Sequence, residues 1–115
     1  MLPPLLPVHG MIEADRLSAN ITLKIAMPKY VMWGTYCENV LEKRKPYRQA
    51  HLDGIAAQKE AGLVMTLGPT QDATMVFGIY DAEDEAAVRK LVESDPYWEN
   101  GIWTEYDVKE WIQAF

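Results

Sequence analysis

At 115 residues the chain is one domain by length, and 49% hydrophobic residues with four Trp, six Tyr and two Phe make it globular rather than disordered. A formal charge of -6 argues against nucleic acid, whose phosphates are bound by clustered Lys and Arg, but leaves room for a small acidic ligand met by one arginine. The single cysteine, Cys37, allows neither an internal disulfide nor a Cys-based zinc site and fits a reducing compartment.

The first 26 residues differ in kind from the rest. Met1-Leu2-Pro3-Pro4-Leu5-Leu6-Pro7 is apolar, but it has no positive start and carries three prolines, so it makes a poor signal peptide. Arg16 and Lys24 against Glu13 and Asp15 make a poor transit peptide as well. No apolar run approaches the roughly 20 residues that cross a bilayer, so no membrane is expected and the expected compartment is the cytoplasm. Residues 1–26 read as a loose extension ahead of a fresh start at Met27-Pro28. The alternative is an added edge strand from Asn20 to Ile25.

Tyr30 to Tyr36 is rich in aromatic and β-branched residues and reads as a strand. Val31, Trp33 and Thr35 share one face and Tyr30, Met32 and Tyr36 the other, so both faces need cover. Cys37 to Lys45 is a polar connection with one helical turn from Leu41 to Arg44. Pro46 then suits the first turn of a helix. At 3.6 residues per turn Tyr47, Ala50, His51, Gly54, Ile55, Gln58 and Ala61 lie on one side, while Gln49, Asp53, Lys59 and Glu60 face water. His51 therefore points inward, where unpaired ring nitrogens would cost roughly 2–7 kcal/mol. It needs a partner, and a backbone carbonyl or Gln58 would serve as well as a ligand.

A second strand from Leu63 to Leu67 meets a turn at Gly68-Pro69-Thr70-Gln71-Asp72 and returns as a third from Ala73 to Tyr80. Asp81 caps the next helix, with Asp84 in the capping-box position and Val88, Leu91 and Val92 as the apolar stripe. Asp95-Pro96 ends that helix, leaving Asp95 at its negative pole. Tyr97 to Gly101 reads as a loop. Ile102 to Trp111 is the last strand, with Thr104, Tyr106 and Val108 on one face and Glu105, Asp107 and Lys109 on the other.

Strand, helix, strand, strand, helix, strand is the ferredoxin-like βαββαβ order, an α+β antiparallel sheet with both helices on one face. A first strand apolar on both sides is then best served by a second copy packed sheet to sheet, so a homodimer is expected.

Residues 27–115 resemble the YciI-like (YCII-related) family of the dimeric α+β barrel superfamily. The resemblance is carried by Arg48-Gln49-Ala50-His51-Leu52, by Gly62-Leu63 leading to Gly68-Pro69, and by Gly78 and Glu85-Ala86-Ala87. It continues through Asp95-Pro96-Tyr97 and Gly101-Ile102 to a closing strand with Val108 and Trp111. It implies a pocket with a His and an Asp acting as an acid–base pair, roles that fall on His51 and Asp95. Relatives of this kind include a dehydrochlorinase acting on chlorinated hydroquinones, and the fold is similar to that of muconolactone isomerase. The chain departs from the pattern in its extension and in the short turn between Gly68 and Ala73, which bears on the pocket's rim.

The expected function is accordingly that of a small enzyme working without cofactor or metal, an isomerase or a lyase of the dehydrochlorinase type. Its substrate would be a small cyclic acid, lactone or phenol, with Arg48 and Tyr97 as binding residues and Trp33 as a further aromatic near the pocket. A non-catalytic dimeric module that binds a small ligand is the alternative. A haem site with His51 as axial ligand is a weaker one. The three methionines on strands, Met32, Met65 and Met75, read as core fillers.

Overall fold

The computed structural model describes residues 27–115. Both expectations for the N-terminal 26 residues, the loose extension and the added edge strand, lie outside that range. The elements are β1 (Lys29–Tyr36), α1 (Val40–Lys43), α2 (Arg48–Glu60), β2 (Val64–Pro69), β3 (Met75–Asp81), α3 (Glu85–Glu93), α4 (Pro96–Glu99) and β4 (Trp103–Trp111). The four strands form one antiparallel sheet in the order β2-β3-β1-β4, the ferredoxin-like arrangement with β1 in the middle.

Alternation along β1 sets the two layers. Tyr30, Met32 and Gly34 are buried beneath the helices, while Val31, Trp33 and Thr35 are only half-covered on the open face. Their partners on β3, Ile79, Phe77 and Met75, share that face, and Phe77 is 47% exposed. The core lies on the helix side. Met32, Val76, Tyr80 and Val108 from the sheet meet Val88 and Val92, which lie one turn apart on α3.

One irregularity decides what reaches the helix layer near the end of β4. The β1–β4 register shifts between Thr35 and Tyr36, so that Thr35 faces Glu105 while Tyr36 faces Trp103. The extra residue, Thr104, bulges out on the open side, where its hydroxyl meets that of Thr35 at 2.8 Å. Strict alternation would put Thr104 inward with Tyr106 and Val108. The bulge reverses the parity and turns Trp103 into the core, 1% exposed.

Other boundaries differ for local reasons. The cap of α3 is Asp84, which accepts the Ala87 N–H at 2.8 Å. Asp81 instead completes β3 and is bonded by the Lys29 ammonium at 2.6 Å. Pro46 lies just before the Tyr47 cap of α2 rather than inside the first turn. Of the expected inward face of α2 only His51 is fully buried; Tyr47, Gly54, Ile55 and Gln58 are half-buried, and Ala50 and Ala61 are exposed. The segment read as a loop after Asp95 is the short helix α4, which closes at Gly101 with a φ of 70°.

Candidate active site

His51 lies one turn into α2, and its ring descends between that helix and the turn joining α3 to α4. There it meets Asp95. Nδ1 is 2.8 Å from Oδ1 and 2.9 Å from Oδ2 of the carboxylate. A carboxylate only accepts, so Nδ1 carries a proton and donates it, and in the neutral ring Nε2 is then the lone-pair nitrogen. Nε2 has no hydrogen-bond partner among the described residues. The pair is enclosed, with His51 6% and Asp95 4% exposed. Neither a backbone carbonyl nor Gln58 takes the imidazole; the Gln58 Oε1 is itself buried without a partner among the described residues.

Asp95 is fixed from a second direction. It is the cap of α4, where Pro96 opens the turn and the Tyr97 backbone N–H donates to Oδ1 at 2.8 Å. The carboxyl group thus lies past the last turn of α3 and at the first turn of α4, which adds an N–H donor to the negative helix pole that the sequence places beside it.

Tyr97 contributes its ring as well. It lies parallel to the imidazole with centroids 3.8 Å apart and planes 6° from parallel. Trp103 stands edge-on to both, 5.4 Å from His51 and 5.8 Å from Tyr97, and Tyr36 meets Tyr97 edge to face at 6.5 Å. His51 is therefore held by its Nδ1 hydrogen bond to Asp95 and by an aromatic box. Trp103 and Tyr36 are the members that alternation and motif reading do not single out. Tyr36 is visible only as a strand end, and Trp103 is inverted by the bulge.

Arg48 is exposed at the first position of α2. Burial pushes the Tyr97 hydroxyl above its ordinary range, and the charges of Arg44 and Arg48 draw it back. Both arginines thus stand within electrostatic reach of the ring that covers His51. Trp33 is not part of this cluster, because it points to the opposite face of the sheet beside Phe77 and Asp107.

A cleft of about 390 Å³ opens at the end of the sheet, lined by Tyr36, Cys37, Val40 and the β2–β3 turn residues Asp72, Ala73 and Thr74 among others. Arg48, His51, Asp95 and Tyr97 do not line it; Tyr36 connects it to their cluster. The short turn between Gly68 and Ala73 does form its rim. Asp72 ties that rim together, accepting from the hydroxyls of Thr70 and Thr74 at 2.7 Å each. These hydroxyls, with the Thr74 N–H, hold its carboxyl below the usual range. Among the described residues no cluster of three or more His, Cys, Asp or Glu could hold a metal ion, and no helix is long and apolar enough to cross a membrane.

The YCII-related domain model matches residues 28–112, which includes every element of the sheet and the whole aromatic box. The chain belongs to the YCII-related domain family. Among proteins of curated function, none matches the sequence. Among solved structures the fold is similar to that of the 5-chloro-2-hydroxyhydroquinone dehydrochlorinase TftG from Burkholderia phenoliruptrix AC1100, in complex with 2,5-dihydroxybenzoquinone. The TM-score is 0.66 at 24% identity, covering 75% of this chain and 95% of that one. It is also similar to MtbAldR, with a TM-score of 0.52 at 13% identity over 96% of this chain and 77% of that one. At these identities both likenesses speak to fold.

Proposed function

We propose that this YCII-related domain is a small cofactor-independent enzyme in which His51 Nε2 moves a proton on a small cyclic acid, lactone or phenol. Asp95 acts as the partner that fixes the imidazole tautomer and balances its charge when protonated. The observation that carries this reading is the grip of both Asp95 oxygens on Nδ1, which leaves Nε2 as a lone-pair nitrogen with no protein partner. Nε2 is not among the sealed, unpartnered side-chain atoms, which are Gln58 Oε1 and Trp103 Nε1 among the described residues, so it keeps the outside access that a general base needs. The base takes a proton from a carbon beside a carbonyl, or from a phenol. The electron pair then either expels a leaving group such as chloride or shifts, so that the proton returns at another carbon. The likeness to a dehydrochlorinase of chlorinated hydroquinones supports the first course. Arg48 and Tyr97 would meet the substrate at the outer edge of the site.

The working unit in this proposal is a homodimer formed through the open sheet face. Trp33 and Phe77 sit side by side there with Val31, Ile79 and Met75, and apolar residues of this kind on a sheet are normally covered. Light scattering at micromolar concentration should give twice the chain mass, and Phe77→Asp should shift it towards the monomer. A clean wild-type monomer would dismiss the dimer.

The chemistry is tested by a thermal-shift screen of lactones, phenols and carboxylic acids, with product analysis of the hits. His51→Ala should fold and lose about 10²–10⁴-fold in kcat. A folded His51→Ala that turns over substrate at the wild-type rate ends the acid–base reading. Ligands that stabilise the protein without any product forming would select the non-catalytic binding module instead.

A further inference from the structure

The 26 residues ahead of Met27 lie outside the described range, but the point where they join the fold is fixed. The Pro28 carbonyl accepts the Ala82 N–H at 3.2 Å, and the Leu63 carbonyl accepts the Asp81 N–H at 2.9 Å. The chain therefore enters β1 at the end of the sheet where β3 finishes and β2 begins. At that corner a groove of about 450 Å³ runs between α3 and the strand ends, lined by Met27, Leu63, Ala82, Ala87, Leu91 and Ser94 among others. Met27 is thus one wall of the groove as well as the residue that leads out of it.

The groove is mainly aliphatic: Leu63, Ala87 and Leu91 are half-buried and Ala82 is fully buried. The Ser94 hydroxyl is spent on the Leu91 carbonyl at 3.0 Å, and Glu83 and Lys90, which also line the groove, are exposed. A small-molecule site carries a few enclosed polar groups that fix orientation, and this groove offers two exposed charges instead. The homodimer proposed above uses the opposite face of the sheet and leaves this side uncovered. The chain's own upstream segment has the matching pattern. Ile21, Leu23 and Ile25 alternate with Thr22 and Lys24, a period of two with one apolar side. Extended chain covers about 3.3 Å per residue, so Ile21 can reach roughly 20 Å from Met27. The α3 wall from Ala87 to Ser94 is only about 10 Å long.

We propose that residues 21–25 of this same chain dock in the groove between α3 and the Leu63–Ala82 corner, with Ile21, Leu23 and Ile25 against Ala87 and Leu91. Thr22 and Lys24 face water, and the Lys24 ammonium meets the exposed Glu83 carboxylate. Burial of alternate aliphatic side chains offsets the entropy lost in ordering the segment. Leu91 and Ser94 lie at the C-terminal end of α3, so the docked segment covers the turn that leads into Asp95 and braces it from outside. The proposal stands independently of the chemistry assigned to His51.

The test is methyl NMR on the full chain, with isoleucine, leucine and alanine methyls labelled and assigned by single substitutions. Cross-peaks should join the Leu23 and Ile25 methyls to those of Ala87 or Leu91. Leu23→Asp should abolish its own contacts and lower Tm by about 4 °C or more, the scale set by losing one buried aliphatic side chain in a domain of this size. Thr22→Asp, on the outward side, should leave both the cross-peaks and Tm in place. A mixture of labelled and unlabelled chains separates contacts within one chain from contacts between two. The absence of any cross-peak between residues 21–25 and the groove overturns the proposal, as does a Leu23→Asp that melts with wild type. Cross-peaks to Ile112 instead would put the segment in the neighbouring cleft that Met27 shares with Trp111 and Phe115. Cross-peaks found only between chains would give the groove to a second copy. Either result overturns it as well.

Discussion

The imidazole of His51 lies flat on the phenol ring of Tyr97 at 3.8 Å, while the backbone N–H of the same tyrosine donates to the Asp95 carboxylate that grips that imidazole. One residue thus positions both members of the pair, through its ring and through its main chain. The two contributions separate by mutation. Tyr97→Phe keeps ring and N–H and should leave stability within about 1 kcal/mol. Tyr97→Ala keeps only the N–H and removes a ring that is 2% exposed, which should cost about 3–5 kcal/mol in urea unfolding. Equal stability of wild type and Tyr97→Ala would mean that the stack holds nothing in place.

Asp95 carries two structural duties, and the variants distinguish them. Asp95→Ala strands a buried imidazole and uncaps α4, so a loss of about 3–5 kcal/mol is expected. Asp95→Asn still offers an oxygen to the Tyr97 N–H and a polar group to Nδ1. It should fold with a smaller loss yet bring turnover of an identified substrate down by about 10²–10⁴-fold, because a neutral amide no longer balances a protonated ring. Chemical denaturation and kinetics on the two variants check this, and an Asp95→Ala as stable as wild type would contradict it.

Three glycines have opposite expectations that follow from what a methyl group would meet. A Cβ at Gly34 would lie 2.5 Å from the Glu105 carbonyl oxygen and 3.2 Å from Tyr106 Cβ, on the central strand beside the β4 bulge. That oxygen is main chain and cannot swing away, so Gly34→Ala should destabilise by about 1–3 kcal/mol. Gly54 and Gly68 meet nothing within 4 Å. Gly54 is inside α2, so Gly54→Ala should stabilise by roughly 0.5–1 kcal/mol. Gly68→Ala should be nearly neutral. Melting temperatures of the three variants give the answer, and a Gly34→Ala that melts with wild type would show that β1 and the edge strand β4 can part at no cost.

Ala73 presents the reverse case. It occupies the left-handed region at φ 57° on the rim of the cleft, a conformation costing a residue with a Cβ roughly 1–2 kcal/mol. The Asp72 carboxylate, bonded to the Thr74 N–H at 3.1 Å and to two hydroxyls, holds the turn in that shape. Ala73→Gly should raise stability by about 0.5–1 kcal/mol after the entropy of the freer unfolded chain is set against the relief of strain. A lower melting temperature for Ala73→Gly would mean that the methyl packing of Ala73 outweighs its strain.

Much of this architecture is written in periodicity. The apolar run from Tyr30 to Tyr36, the hairpin around Gly68-Pro69 and the Val88/Val92 stripe each follow from local pattern, and their order gives the sheet. The inward turn of His51 follows from helical spacing alone. Its meeting with Asp95, 44 residues away, does not: spacing shows two polar groups in need of partners, and only the family resemblance pairs them. The bulge at Thr104 is illegible for a different reason. Alternation continues unbroken in sequence through Thr104, Tyr106 and Val108, and only the register against Thr35 and Tyr36 inverts Trp103. Asp81 and Asp84 are likewise both competent caps; the salt bridge from Lys29, 52 residues away, claims the first and leaves the second to the helix.

Tyrosine burial imposes a pH dependence at the alkaline end. Tyr80 lies in the core at 1% exposure, and burial pushes its phenol far above the ordinary value of 10.0, with the nearby Asp95 charge adding to the rise. Burial likewise raises Tyr36 and Tyr97. Above pH 10 the unfolded chain has lost these protons while the folded chain keeps them, so folding takes up protons and weakens as pH rises. Below the unfolded value the contribution is whole; it is lost progressively as pH climbs towards the folded values. Urea unfolding at a series of pH values from neutral upward should therefore show stability falling from about pH 10. Tyr80→Phe, which has no proton to lose, should give a visibly shallower decline even where its stability at neutral pH is lower. Parallel declines in the two proteins would place the alkaline loss on other groups and remove Tyr80 from the account.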